Sequence, residues 1–520
     1  MHLPEWLNHA VFYEIYPQSF CDSNGDGIGD FPGMTSKLDY LKEMGINALW
    51  INPCFASPFM DAGYDISDYY TIAPRYGTNE DAKEFFWEAH RRGIRVLLDL
   101  VPGHTSDQHP WFTASKQAEK NEFSNRYIWT NNAFDYPKGF RLQSGMSDRD
   151  GNYVVNFFSS QPALNYGFAH RDYDWQLPPE HPDCQTTVQE IKNIMRFWLD
   201  AGCDGFRVDM AYSLVKNDPD FTGTKRLWQD IRGMLEREYP EAVILSEWSC
   251  AEHAIDAGFH LDFYIHFNCK GYNALFQTAS TDYVDKAKAV HCFFSKEGKG
   301  NIRAFTDEFL KKLEYIRGRG YMCVPTGNHD MIRYANNRTQ DELKLIAAFI
   351  LLLPCVPFIY YGDEIGMRYQ KELTSKEGGY FRTGSRTPMQ WNGGKNKGFS
   401  TGDTLYLPVD GQEDAPDVQS QQEDPDSLYH TICRFIKLRQ TTPEFQADGD
   451  FELVYAEENR YPFVFRRGKY YVAVNPSDRK VSVDMPGVFH QVAAANGSGK
   501  AENGRLELDG VSLVVLEAVS

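Results

Sequence analysis

Short runs of β-branched and aromatic residues recur along the chain, and helix-like segments separate each run from the next. The runs expected to be strands are 10–17, 46–53, 95–102, 205–211, 242–248, 259–267, 321–327 and 356–362. The segments between them carry helical punctuation. Segment 78–92 opens with Thr78 three residues ahead of Asp81, a variant of the capping box, and stops at Gly93. Segment 186–201 stops at Gly202, and segment 339–353 stops at Pro354. About eight strands alternating with helices predict an α/β chain of parallel βαβ units closed into a (β/α)8 TIM barrel. A doubly wound open sheet is the alternative, and eight repeats favour the barrel.

Two interruptions break this rhythm. Between Val101 and Asp172 there is no long helical period, but many Asn, Gly, Ser and aromatic residues. That length predicts a small domain inserted after strand 3, over 104–171. A second long segment, 369–426, follows strand 8. Beyond Pro443 the helical period disappears, and short strands are expected at 451–456, 462–466, 470–475, 481–484 and 511–516. The predicted organisation is a barrel over 1–103 and 172–445, with a C-terminal antiparallel β-sandwich over 446–520.

Composition narrows the partners. A net charge of −19 argues against nucleic acid or an anionic membrane surface, so neither is expected as a partner. Aromatic residues make up 14% of the chain, which suits a neutral polyol such as a sugar. The first residues carry neither a basic stretch nor an apolar one, so no targeting segment is expected. The ten cysteines are scattered and form no Cys-x-x-Cys pair. That spacing fits buried thiols in a reducing cytoplasm, not a disulfide frame or a zinc site.

In a barrel of this kind, chemistry sits at the carboxyl ends of the strands. The chain places Asp99 and His104 at that end of strand 3, and Arg207 and Asp209 on strand 4. Glu247 ends strand 5, and His329 with Asp330 follow strand 7. In a strand, Arg207 and Asp209 face the same side, so the arginine can hold the carboxylate ionised and oriented. Seven polar residues at one end of a barrel are costly to bury without a function.

The segments Asp99-Leu-Val-Pro-Gly-His104, Gly205-Phe-Arg-Val-Asp209, Leu245-Ser-Glu247-Trp and Asn328-His-Asp330 resemble the four ordered motifs of the α-amylase superfamily, glycoside hydrolase family 13. Gln161-Pro-Ala-Leu-Asn165 resembles the fifth, with Ala163 where relatives often carry Asp. The resemblance implies Asp209 as nucleophile, Glu247 as general acid/base and Asp330 as the stabiliser that grips ring hydroxyls. It implies that His104 and His329 bind the reacting sugar. These roles fit a retaining double displacement.

Ser57-Pro-Phe-Met-Asp61-Ala-Gly-Tyr64-Asp65 resembles the oligo-1,6-glucosidase and α-glucosidase branch of the family. That branch pairs the aspartate matching Asp61 with the arginine matching Arg386, closing the pocket around one terminal glucose. Tyr64 would stack under its ring, Phe157 or Phe158 would line its side, and Asp65 belongs to the same loop. The loop Asp22-Ser-Asn24-Gly-Asp26-Gly-Ile28-Gly-Asp30 presents oxygen ligands at every second residue, which suits a hard cation. The resemblance implies structural Ca²⁺ or Mg²⁺ on Asp22, Asn24, Asp26, the Ile28 carbonyl and Asp30. The expectation is an exo-acting α-glucosidase on small oligosaccharides, monomeric or a small homo-oligomer. Met210 after the nucleophile leaves linkage preference open, and a transglycosidase or isomerase of the trehalose synthase kind is the alternative, decided by how well water competes at the acceptor site. A non-catalytic sugar-binding relative would lack one of the three carboxylates.

Overall fold

The computed structural model describes residues 2–276 and 291–519. Eight parallel strands form a closed barrel: β1 (Phe12–Ile15), β2 (Ala48–Ile51), β3 (Arg95–Leu100), β4 (Gly205–Val208), β5 (Val243–Ser246), β6 (Leu261–Phe263), β7 (Tyr321–Pro325) and β8 (Val356–Tyr360). Each strand pairs with its sequence neighbours, and β8 closes on β1 with Phe12 opposite Phe358 and Glu14 opposite Tyr360. Every residue of β1, β2, β4, β5, β6 and β8 is buried. Burial on both faces is why these strands read as apolar runs instead of alternating. Each lies inside the run expected for it. The ends of these strands and the loops that leave them carry the polar residues of interest.

Helix α1 (Asn79–Arg91) has the expected cap. The Thr78 hydroxyl accepts from the Asp81 amide at 3.2 Å, and the Asp81 carboxylate accepts from the Thr78 amide at 2.8 Å. Helix α2 (Pro182–Ala201) starts four residues before the Thr186 start expected from sequence. Pro182 loses nothing at a first helical position, where its missing N–H would have no partner. His181 caps the turn by accepting from the Asp183 amide at 3.2 Å. Thr186 lies within the first turns, its hydroxyl bonded back to the Asp183 carbonyl.

Residues 104–171 form the excursion after β3. They hold one short helix (Pro110–Ser115), a small ribbon pairing Leu142–Gln143 with Tyr153–Val154, and a buried cluster of Ile128, Val154, Ala163 and Phe168. The Tyr166 hydroxyl donates to the Pro102 carbonyl at 2.6 Å, tying the excursion to the barrel rim.

The C-terminal region is an antiparallel sandwich. Its strands are β9 (Glu452–Tyr455), β10 (Phe463–Arg467), β11 (Tyr470–Asn475), β12 (Val481–Asp484), β13 (Phe489–Asn496), β14 (Gly499–Glu502), β15 (Arg505–Leu508) and β16 (Ser512–Ala518). A five-stranded sheet in the order β9-β10-β11-β16-β13 faces a three-stranded sheet, β12-β15-β14. Val464, Ala473, Val514 and Leu516 of the first pack on Leu506 and Leu508 of the second. Strands β13 and β14 escape the sequence pattern, because Ala493-Ala-Ala-Asn496 and Gly499-Lys-Ala-Glu502 are poor β-formers held by their neighbours.

The opposite face of the larger sheet packs on helix α3 (Gln340–Leu352), which is buried almost all round. The Phe349 ring stands 6.2 Å from Phe463 and 6.1 Å from Phe465 on the sandwich side, and 5.9 Å from Phe305 on the barrel side. A helix hydrophobic on every side is one enclosed between two layers. The chain's first turn is also clasped by its later part: the Ala447 amide donates to the Asn8 carbonyl, and Asn8 Nδ2 to Gln446.

All ten cysteines are unpaired. Among the described residues, no helix is long and apolar enough to cross a membrane.

Candidate active site

The site is assembled where β3, β4, β5 and β7 end. Register places Asp99 beside Arg207 and Leu100 beside Val208, so the ends of β3 and β4 stand level. The Asp209 amide donates to the Leu100 carbonyl and the Glu247 amide to the Val208 carbonyl, which extends the ladder to both acidic residues. Directly after Asp209, Met210 takes a left-handed backbone (φ +40°), turning the chain sharply away from the strand.

Arg207 is the hub. Its Nη1 lies 3.0 Å from both Asp99 Oδ1 and Asp209 Oδ1, and its Nη2 lies 2.9 Å from Glu247 Oε2. All four residues are at least nine-tenths buried. One guanidinium therefore serves three carboxyls, and the three cannot all be ionised cheaply. Burial pushes Asp99 up to about 6, against the pull of Arg207. It pushes Asp209 up to about 7, again opposed by Arg207. Glu247 goes furthest, to about 8, through burial together with the nearby Asp209 and Asp330 charges. Glu247 is thus the carboxyl that keeps its proton longest, and Asp209 ionises before it.

Asp330 is treated in the opposite way. Burial works to raise its pKa, yet His329, Arg382, Arg386 and Arg207 hold it well below the usual carboxylate range. Arg382 Nη1 and Arg386 Nη2 each lie 2.8 Å from Asp330 Oδ1. His329 is itself kept neutral, its pKa pushed down to about 3 by burial, so the two guanidiniums carry most of the effect. The His329 ring is fixed by Glu14 at 2.8 Å and Asn52 at 3.1 Å on Nδ1, and by the Tyr64 hydroxyl at 2.8 Å on Nε2. Tyr64 also donates to Asp99 at 3.1 Å and stacks on His329.

The expected Asp61–Arg386 pair is not what forms. Arg386 turns to Asp330 and donates from Nε to the His329 carbonyl. Arg382 is the guanidinium that reaches Asp61, at 3.6 Å, while Gln161 Nε2 donates to Asp61 at 2.8 Å. The physical reason is competition: fully ionised Asp330 is the stronger acceptor, whereas burial raises Asp61 to about 6. Asp65 is spent on its own loop, accepting from Ser57, the Met60 amide and the Asp61 amide, and so places Asp61. Phe157 and Phe158 are half-buried neighbours, ring centroids 4.6 Å apart, and Phe158 packs near Tyr380. His104 has both ring nitrogens engaged, by the Tyr64 carbonyl and by Asn156.

Sequence reasoning omitted Arg382, Glu14 and Gln161 from the site. Glu14 left one signal, a lone carboxylate in an apolar strand. Arg382 left another, a second arginine four residues before Arg386.

The loop of residues 22–30 is wound by its own side chains. Asp22 accepts from the Asn24, Gly25 and Gly27 amides, Asn24 from the Asp26 amide and Asp26 from the Ile28 amide. Asp30 caps the following turn through the Gly33 amide. Among the described residues, no three His, Cys, Asp or Glu side chains come together as a metal-holding group. The oxygen-only chemistry of the loop nevertheless fits a hard cation.

Residues 14–448 match the family described as "Alpha amylase, catalytic domain". The chain belongs to the alpha-amylase family. Among its alpha-amylase family relatives, an oligo-1,6-glucosidase of Heyndrickxia coagulans is 32% identical, over 93% of this chain and 94% of that protein. A trehalose synthase of Pimelobacter sp. (strain R48) is 31% identical, over 86% and 82%. The fold is matched over the full length of both chains by an isomaltulose synthase mutant from Erwinia rhapontici NX5, with a TM-score of 0.83 and 24% identity.

Proposed function

We propose that this chain is a retaining, exo-acting α-glucosidase that releases terminal α-linked glucose from short oligosaccharides of the maltose or isomaltose type. The observation that carries this reading is the shared guanidinium of Arg207, which sets Asp209 and Glu247 at one point with different affinities for a proton. In the first step, ionised Asp209 attacks the anomeric carbon as Glu247 delivers its proton to the departing glycosidic oxygen. In the second, Glu247 takes a proton from water, which attacks the same carbon and frees Asp209. Asp330, held ionised by two arginines, accepts hydrogen bonds from ring hydroxyls. Asp61, Arg382 and Arg386 close the far end, so one sugar fits beyond the scissile bond.

A second reading has support from the trehalose synthase relative: transfer to a sugar acceptor instead of water. Incubation with maltose alone separates the two, since hydrolysis yields glucose only and transfer yields isomeric or longer products. Cleavage of a chain blocked at its non-reducing end would refute the exo reading.

The loop at Asp22, Asn24, Asp26, Ile28 and Asp30 is assigned a structural Ca²⁺ or Mg²⁺, supported by its all-oxygen donors. The ion would brace the loop against the segment after β8, which Asp22 already meets through Ser400. Unpaired thiols throughout support a cytoplasmic location.

A further inference from the structure

Lys216 pairs with Phe168 in an isolated β-bridge on the segment that leaves the nucleophile, and nothing in the mechanism above uses it. Its side chain is directed inward. Its Nζ lies 3.2 Å from Asn156 Oδ1 and 2.5 Å from the Ser213 carbonyl. Among the described residues, no carboxylate stands within ion-pair distance of it, and burial alone pushes its pKa down to about 8. The ammonium is partly buried and held only by neutral oxygens, so its position invites a functional account.

The account lies in hydrogen-bond polarity. An ammonium can only donate, so Asn156 must present Oδ1 to Lys216. Asn156 Nδ2 is then forced toward His104, where it lies 3.1 Å from Nδ1. An amide NH₂ also only donates, so His104 Nδ1 must be the bare acceptor nitrogen. Burial holds His104 neutral, its pKa pushed down to about 3. A neutral ring with a bare Nδ1 carries its proton on Nε2, which faces the Tyr64 carbonyl at 3.1 Å. Tyr64 in turn bridges Asp99 and His329.

We propose that Lys216 is a positioning residue: through Asn156 it fixes the tautomer of His104, and through that tautomer it holds Tyr64 as the floor under the terminal glucose. Were the Asn156 amide free to turn over, Oδ1 would face His104 Nδ1 and draw the proton there. Nε2 would then face the Tyr64 carbonyl with a lone pair, and the two acceptors would repel. The relay runs from Lys216 through Asn156 and His104 to Tyr64. Its functional part rests on the glucosidase reading, while its tautomer part does not.

Three variants of the full chain test it. K216R keeps a permanent donor and should behave as wild type. K216M removes the donor, and N156D keeps the bond to Lys216 while replacing the donor to His104 with an acceptor. A merely structural lysine would tolerate N156D, which turns a neutral contact into an ion pair. The relay predicts that K216M and N156D both raise KM for maltose or isomaltose at least tenfold, and weaken glucose inhibition in proportion. Their kcat should fall much less, with melting temperature within a few degrees of wild type. Ring ¹⁵N resonances of labelled histidine should show His104 protonated on Nε2 in wild type and K216R, and shifted toward Nδ1 protonation in N156D. If K216M does not fold, N156D and K216R decide. An unchanged His104 signal in N156D overturns the relay, as does a wild-type KM there. If wild type has no glucosidase activity, the proposed function fails, and the ¹⁵N signal alone judges the relay.

Discussion

At the scale of single residues, three carboxyls around one cation decide the pH behaviour. Asp209 must be ionised to attack, so activity falls below about pH 7 as it takes a proton. Glu247 must hold a proton to give, so activity falls above about pH 8 as it loses it. A narrow bell in kcat/KM is therefore expected, and its two limbs belong to the Arg207-linked group as a whole. E247Q on an activated aryl glucoside, whose leaving group needs no proton, should keep the acid limb and lose the alkaline one. A surviving alkaline limb in that assay would remove Glu247 from its role. Much of this was legible beforehand: alternation along β4 put Arg207 and Asp209 on one side, and the ordered motifs supplied Glu247 and Asp330. The direction of the Asp209 shift was not legible. It depends on burial and on two further carboxyls brought in by β3 and β5, which no local stretch reveals.

At the scale of elements, the loops beyond the strand ends define where substrate stops. The turn Tyr380–Ser385 sets Arg382 between Asp330 and Asp61, whereas the family resemblance implied Arg386 as the partner of Asp61. Spacing alone cannot say which of two arginines wins a given carboxylate, because the answer depends on how β2 and β8 loops approach each other. R382A should free Asp61 and loosen the closed end. Disaccharide kcat/KM should drop about 10²-fold, since positioning errors near 1 Å cost that much, and four- to six-sugar chains should lose less. A uniform loss across chain lengths would mean that Arg382 serves Asp330 alone. The structural ion proposed for the loop of residues 22–30 would act on stability instead. Chelation should lower the melting temperature, because an ion at 100 times its Kd stabilises the folded chain by about 2.7 kcal/mol. The initial rate of the still-folded enzyme should stay unchanged, and lost turnover at constant melting temperature would contradict a structural ion.

At the scale of the whole molecule, barrel and sandwich share one hydrophobic seam along α3. Phe349 is fully buried, with rings from both units around it. F349A should cost about 3–5 kcal/mol, the usual penalty for a phenylalanine-sized cavity. Calorimetry should record the loss as a lower melting temperature, or as separate transitions for barrel and sandwich, while kcat of the folded enzyme stays near wild type. The eight barrel strands were visible because burial on both faces leaves an apolar run in each. The sandwich was only partly visible, since β13 and β14 take their conformation from partners and not from their own residues. Closure of the barrel by β8 on β1 also sets a timetable for synthesis. The chain leaves the ribosome at roughly 5–20 residues per second. Glu14 must then wait about 20–70 s for Tyr360, its register partner, to be made. Until then the nascent sheet has two open edges, and His329 lacks the carboxylate that fixes its ring. The catalytic end cannot exist on a partial chain, and the clasp of Asn8 by residues 446–448 comes later still. A chaperone that shields those edges during translation would raise the yield of active enzyme more than one supplied after release.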